Sequence, residues 1–292
     1  VRTDQAVEQF LDDLQQQGRS PHTMAAYRRD LAVFCRFIGT ADIKSVTPEL
    51  LLRFMATDGV QVGPSGTQRA KPTVNRYRVS LKALFGWCEA RWLIPRNPTS
   101  ILKCRRHRGL PPVVLTEAEV EQILSYQFSG RHADRDSALL AFMLLTGCRL
   151  GETTTLDVGD IDLTAGTVTL RCPKGGEPDR IIICTRLIAI IRSQIQRTPP
   201  HEPIWSTTAG ARLSERQIQR LVASRVREAG INNRVTPHAI RHTFATILYN
   251  RTGDIRLVQQ ALRHHHVTTT ETYAHLDPIR LKTALNSTAK SA

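Results

Sequence analysis

Four short stretches of the chain hold polar residues where their neighbours predict order: TGCRLGE, PKGGEPD, TPHAIRHTFAT and ALRHHHVTTTETYAH. In the first, Arg149 follows the end of an apolar run and stands three residues before Glu152. Solvation explains such an arginine poorly, which leaves an ion pair with Glu152 or a role at an anion. In the second, Lys174 sits beside glycines in a turn, either solvated or presented to a ligand. In the third, His238 and Arg241 are three apart and share a helix face. His238 falls in the first turn after Pro237, where it is either a near-cap residue or a neighbour of the amides that favour an anion. In the fourth, His264, His265 and His266 stand together and Tyr273 follows a threonine run.

Histidine clusters invite a metal, but the pattern argues against one. Adjacent residues at a helix end point in different directions. The better-spaced pair, His238 and His242, lacks the glutamate that HExxH requires. A nucleophile fits better. Cleaving a phosphate diester without metal requires a nucleophile, cations around the non-bridging oxygens and an acid for the leaving alkoxide. The chain offers two arginines, a lysine, two histidines and a tyrosine for those tasks. A tyrosine hydroxyl is weak at its free pKa of about 10, so it needs the cationic surround. Tyr249, in the apolar helix after Arg241, is a rival expected to lie in the core.

The elements that must position these groups are mostly helical. SPHTMAAYRRDLAVFCRFIG, TPELLLRFMAT and TVNRYRVSLKALFGWCEARW carry apolar residues at helical spacing, two of them behind a hydroxyl residue and a proline. The third has a basic side with Arg76, Arg78 and Lys82. A proline-rich segment with Arg105 and Arg106 reads as a linker. The spacing therefore predicts a helical domain over 1–100, a basic linker over 101–112 and a second domain over 113–292. The second opens on a capping box of Thr116 and Glu119, followed by the buried helix DSALLAFMLLTGC. TVTLRC and RIIIC flank the lysine turn as a hairpin, with GDIDL as an edge strand. Helices return at RLIAIIRSQIQ, at SERQIQRLVASRVREAG with Arg216 and Arg220, at PHAIRHTFATILYNRTG and at DIRLVQQALR, with a short tail helix at PIRLKTALN.

Bulk composition agrees. Forty Lys and Arg against 26 Asp and Glu give a net charge of +14, an excess that suits a polyanion such as nucleic acid. No apolar run is long enough to span a membrane. The six cysteines are scattered without a close CxxC pair, as free thiols in a reducing cytoplasm would be.

The four motifs, in this order, resemble those of the tyrosine site-specific recombinases, the phage-integrase family. The resemblance covers nearly the whole chain. It implies that Arg149 and Arg241 clamp the scissile phosphate, with Glu152 supporting the first. It makes Lys174 the general acid for the 5′ hydroxyl, gives His238 and His264 supporting roles at the phosphate, and makes Tyr273 the nucleophile. The implied fold is mainly α with a small antiparallel β-sheet, a helical core-binding domain and a catalytic domain forming a C-shaped clamp around DNA. The implied reaction proceeds through a 3′-phosphotyrosine and a Holliday junction, with neither ATP, metal nor other cofactor. The partners are double-stranded DNA with short inverted elements and a homotetramer on two sites, alone or with a paralogous recombinase, at the nucleoid of a prokaryotic cytoplasm. The tail helix would dock on a neighbouring subunit.

Three residues depart from the family pattern. Arg263 stands where glycine is usual, next to His264, and Pro173 and Pro178 alter the lysine hairpin. No chemical group is lost. The chain resembles the compact two-domain members, Xer-like or transposon-associated. DNA relaxation of the type IB topoisomerase kind, an inactive DNA-binding regulator and a metal-dependent nuclease are the alternatives. Arg76, Arg78, Lys82, Arg105, Arg106, Arg216, Arg220 and Arg263 are the expected DNA contacts.

Overall fold

A hydroxyl cap followed by proline starts helices in both halves of the chain. The computed structural model describes residues 1–104, 113–171, 178–263, 283 and 286. In it Ser20, Thr47 and Thr236 each accept a hydrogen bond from the backbone N–H three residues on, and Pro21, Pro48 and Pro237 open the helices. Proline loses nothing there, because that N–H has no intrahelical acceptor. The chain forms two compact units, Val1–Gly109 and Leu110–Ala292, each with its own apolar core.

The first unit contains α1 (Thr3–Gln16), α2 (Pro21–Ile38), α3 (Pro48–Met55), a single turn α4 (Asp58–Gln61) and α5 (Lys71–Ala90). Phe34 meets Phe54 edge-on with centroids 5.0 Å apart and Phe85 at 6.0 Å, an orientation that ring quadrupoles favour. Asp30 of α2 is buried beside them. It accepts hydrogen bonds from Arg76 Nε at 2.8 Å, Arg76 Nη2 at 2.6 Å and Ser80 Oγ at 3.0 Å. A buried carboxylate requires such partners, and Arg76 supplies two of them while its side chain stays 38% exposed. Arg78 and Lys82 are half-buried on the same helix.

The second unit is built round α7 (Ala133–Thr146), whose residues from Ala138 to Thr146 are all buried. It packs against α9 (Thr185–Gln196) and α11 (Pro237–Thr252), and the unit also contains α6 (Glu117–Ser125), α8 (Leu150–Thr155), α10 (Glu215–Glu228) and α12 (Ile255–Ala261). The sheet runs β1 (Ile161–Asp162), β2 (Thr167–Leu170), β3 (Asp179–Ile182) in antiparallel order, with Val168 opposite Ile181 and Leu170 opposite Asp179. Val168 and Leu170 face the core and Thr167 and Thr169 do not, the period-two pattern of a half-covered strand. The mainly helical class with a small antiparallel sheet, its edge strand included, agrees with the expectation from sequence. Among the described residues no helix is long and apolar enough to cross a membrane.

Two details bear on the site. Tyr249, expected in the core, is instead 46% exposed. The inward stripe of α11 runs through Ile240, Phe244 and Leu248, and the next residue is turned about 100° away from it. In the tail, the Asn286 Oδ1 accepts from Thr185 N at 3.0 Å, capping α9 of its own chain; the rest of the expected tail helix lies outside the described residues, apart from Thr283.

Gly147 ends α7 with φ +61, where a side chain is strained. A Cβ at this position would lie 2.4 Å from a Phe244 ring carbon. Gly147→Ala is expected to destabilise the second unit by about 2–4 kcal/mol, from left-handed strain plus overpacking. Urea unfolding of the full chain, read at the midpoint of that unit's transition, checks it; an unchanged midpoint would show that Phe244 moves freely.

Candidate active site

The left-handed turn at Gly147 points the chain from the buried end of α7 straight into Arg149, the residue before α8. Glu152 reaches back and accepts from the Arg149 backbone N–H at 2.7 Å and from Arg149 Nη1 at 2.9 Å. The first contact fixes the start of α8 and the second fixes the arginine. Both roles open for Arg149 in the sequence are thus compatible: it is paired with Glu152, yet its side chain stays 46% exposed.

Arg241 comes from the opposite direction. Its side chain is 7% exposed. Nη1 donates to the Gly147 carbonyl at 2.7 Å and Nη2 to the Leu262 carbonyl at 2.5 Å. One guanidinium therefore ties the turn that carries Arg149 to the end of α12, two residues before His264. Burial lowers the Arg241 pKa, and the charges of Arg149 and Arg263 lower it further, to about 10 against the pull of Glu152. It remains a cation at neutral pH. Three guanidiniums held together in this way form a like-charge cluster that an incoming anion relieves.

Arg149 and Arg241 border a cleft of ≈ 880 Å³ whose lining also includes Gly151, Glu215, Gln219, Arg234 and His238. His238 is exposed at the start of α11, and its Nε2 lies 3.0 Å from His242 Nε2. Burial, then His238 and Arg241, lower the pKa of His242. The two rings share a hydrogen bond, and among the described residues no third His, Cys, Asp or Glu joins them as a metal-ligand group.

The structure thus brings Arg149, His238 and Arg241 to one cleft, with Glu152 holding Arg149 in place. Lys174, His264, Tyr273, Arg105 and Arg106 lie outside the described residues. Arg216 and Arg220 are exposed on α10, one position beyond Glu215 and Gln219, which line the cleft. Arg234, Glu215 and Gln219 were not singled out from sequence. Arg234 stands only four residues before His238, and the i, i+4 spacing of Glu215 and Gln219 on a capped helix was the available signal. Gly151 admits the Glu215 carboxylate, which would sit 3.3 Å from an added Cβ.

Arg263 departs from expectation in detail. Its φ of +52 accounts for the glycine usual at this position, because left-handed backbone disfavours a side chain. Its guanidinium is turned inward rather than spread on the surface, 7% exposed, with Nη2 donating to Glu152 Oε2 at 2.6 Å and Nε 3.3 Å from Asp179 Oδ2. Burial pushes the Glu152 carboxyl up, but Arg263 and Arg149 outweigh it and hold the group below the usual carboxylate range.

Comparison with known proteins gives the family. Residues 113–280 match the Phage integrase family, and residues 7–92 match the Phage integrase, N-terminal SAM-like domain. The tyrosine recombinase XerC of Herpetosiphon aurantiacus is 30% identical, over 93% of this chain and 90% of its own. The tyrosine recombinase XerD of Oceanobacillus iheyensis is 27% identical, over 95% of each. A lambda integrase, solved as a tetramer bound to a Holliday junction, shares the fold with a TM-score of 0.71 at 16% identity, covering 94% of this chain and 80% of its own. With a catalytic-domain match over more than half of its length and an arginine pair braced as described, the chain belongs to the phage integrase family of tyrosine recombinases.

Proposed function

We propose that the protein is a site-specific DNA recombinase that breaks and rejoins strands at a site built on Arg149, Lys174, His238, Arg241, His264 and Tyr273. The observation that carries this reading is the bracing of Arg241 between the Gly147 and Leu262 carbonyls, opposite Arg149 on Glu152. It fixes two permanent cations in one cleft, where a phosphate diester gains charge as it becomes five-coordinate. The Tyr273 oxygen attacks the scissile phosphorus, forming a 3′-phosphotyrosine as the bond to the 5′ oxygen breaks. Lys174 supplies the proton to that oxygen. The 5′ hydroxyl of a partner strand then attacks the phosphotyrosine and releases the tyrosine. One ester replaces another at each step, so no nucleotide cofactor is consumed, and the residues assigned here account for the chemistry without a metal.

The lambda integrase in its junction complex is a tetramer, and the same assembly on two DNA sites is proposed here, passing through a Holliday junction. A net charge of +14 supports a DNA partner. The direct test is covalent capture. The protein is mixed with duplexes carrying randomised inverted elements around a short spacer, in excess chelator, and DNA that stays with protein in detergent is sequenced. Enrichment of one inverted sequence, followed by strand exchange between two copies of it, is the expected result. Absence of any adduct would sink the reading, relaxation of supercoils without exchange would make it a topoisomerase, and adduct-free cleavage that appears only when magnesium replaces the chelator would make it a metal nuclease.

A further inference from the structure

We infer that Arg263, where the family usually has glycine, is a positioning residue that links three parts of the active site. The inference rests on the recombinase reading above. Arg263 is the last residue before His264 and follows Leu262, whose carbonyl holds Arg241. Its side chain donates to Glu152, the same carboxylate that holds Arg149. Through Nε it also pairs with Asp179, the first residue of β3, the strand that returns from the segment containing Lys174. One buried fork thus touches the support of the first arginine and the first residue of the strand after the lysine segment, and its own residue is the chain neighbour of His264.

Two features separate this arrangement from ordinary packing. The residue tolerates left-handed backbone that a glycine would adopt without strain. Its Nη1 is buried and has no hydrogen-bond partner among the described residues. Left-handed backbone and an inward-turned guanidinium are kept together at one position beside the catalytic cleft. The Sγ of buried Cys148, one residue before Arg149, lies 3.9 Å from Nη2, so the fork also closes over the turn that presents Arg149. Planarity matters here: one guanidinium serves two carboxylates through different nitrogens, which an ammonium does less well.

The test uses the full chain and the duplex enriched by covalent capture. Arg263→Gly relieves the backbone and removes the fork; Arg263→Lys keeps the charge; Asp179→Asn weakens only the hairpin contact. With duplex saturating, adduct formation in a single turnover is expected to slow about tenfold or more in the glycine variant, while affinity for the duplex changes less than about threefold. Lysine should restore only part of the rate. Asp179→Asn should slow the wild-type enzyme but add nothing to Arg263→Gly, because both remove one linkage. A merely structural role would lower the melting temperature and leave the saturated rate unchanged. Wild-type rates in folded Arg263→Gly overturn the proposal while leaving the recombinase reading intact, whereas a wild-type protein without adduct overturns both. If Arg263→Gly does not fold, the saturated rate of Asp179→Asn decides: slowed supports the linkage, unchanged rejects it.

Discussion

Tyr273→Phe is expected to abolish the covalent protein–DNA adduct while leaving affinity for the captured duplex within about twofold of wild type. The change removes one oxygen atom and keeps the ring, so packing is conserved and the nucleophile is lost. Binding is expected to persist because the cleft's cations do not depend on that oxygen. Arg149 is held by Glu152, and Arg241 by two backbone carbonyls. The rival nucleophile supplies the control. Tyr249 lies eight residues beyond Arg241 on α11, roughly 12 Å along the helix at 1.5 Å per residue, and it does not line the cleft. Tyr249→Phe should therefore retain adduct at the wild-type rate. Detergent-resistant adduct measured on end-labelled duplex separates the two. Persistent adduct in Tyr273→Phe would move the nucleophile elsewhere and undo the assignment of the ALRHHHVTTTETYAH stretch.

The contrast between these tyrosines shows which parts of the site could be read from sequence. Interactions of short range were legible. Arg149 and Glu152 are three residues apart at a helix start, so their pairing follows from spacing, as does the Thr116–Glu119 capping box. The cap-proline starts of α2, α3 and α11 were legible for the same reason. What failed was orientation about an axis and anything crossing the chain. Tyr249 sits in an apolar-looking helix, but one residue of rotation carries it out of the buried stripe. Arg76 lies on a basic helix face, and its pairing with Asp30, 46 residues earlier, could not be read from spacing. Arg263 was recognisable as an odd residue, while its partners Glu152 and Asp179 are distant in the chain and adjacent only after folding. The acceptors of Arg241 are backbone oxygens, which have no residue type for a pattern to detect.

Those backbone acceptors make Arg241 the other position where a single substitution should have a very large effect. Arg241→Ala is expected to slow adduct formation about a thousandfold or more, the scale of losing a preorganised donor or a transition-state arginine. Two effects combine. The cation that stabilises developing charge is gone, and the Gly147 and Leu262 carbonyls lose the group that holds their segments together. Arg241→Lys separates these effects. Lysine can return a charge to the cleft, but one ammonium cannot hold both carbonyls in the guanidinium geometry and also meet a phosphate. Its rate is expected to remain about a hundredfold below wild type. Burial and the neighbouring arginines already lower the Arg241 pKa to about 10, and a lysine in the same surroundings begins from a lower intrinsic value of about 10.4. Its proton should be lost at lower pH than that of the arginine. The lysine variant's residual rate should therefore fall as pH rises through the neutral and mildly alkaline range, over which the wild-type arginine stays charged. A pH–rate profile of single-turnover cleavage for the two proteins reads this directly. A lysine variant with wild-type rate and a parallel profile would show that Arg241 contributes only charge, and that bracing of the two carbonyls is dispensable.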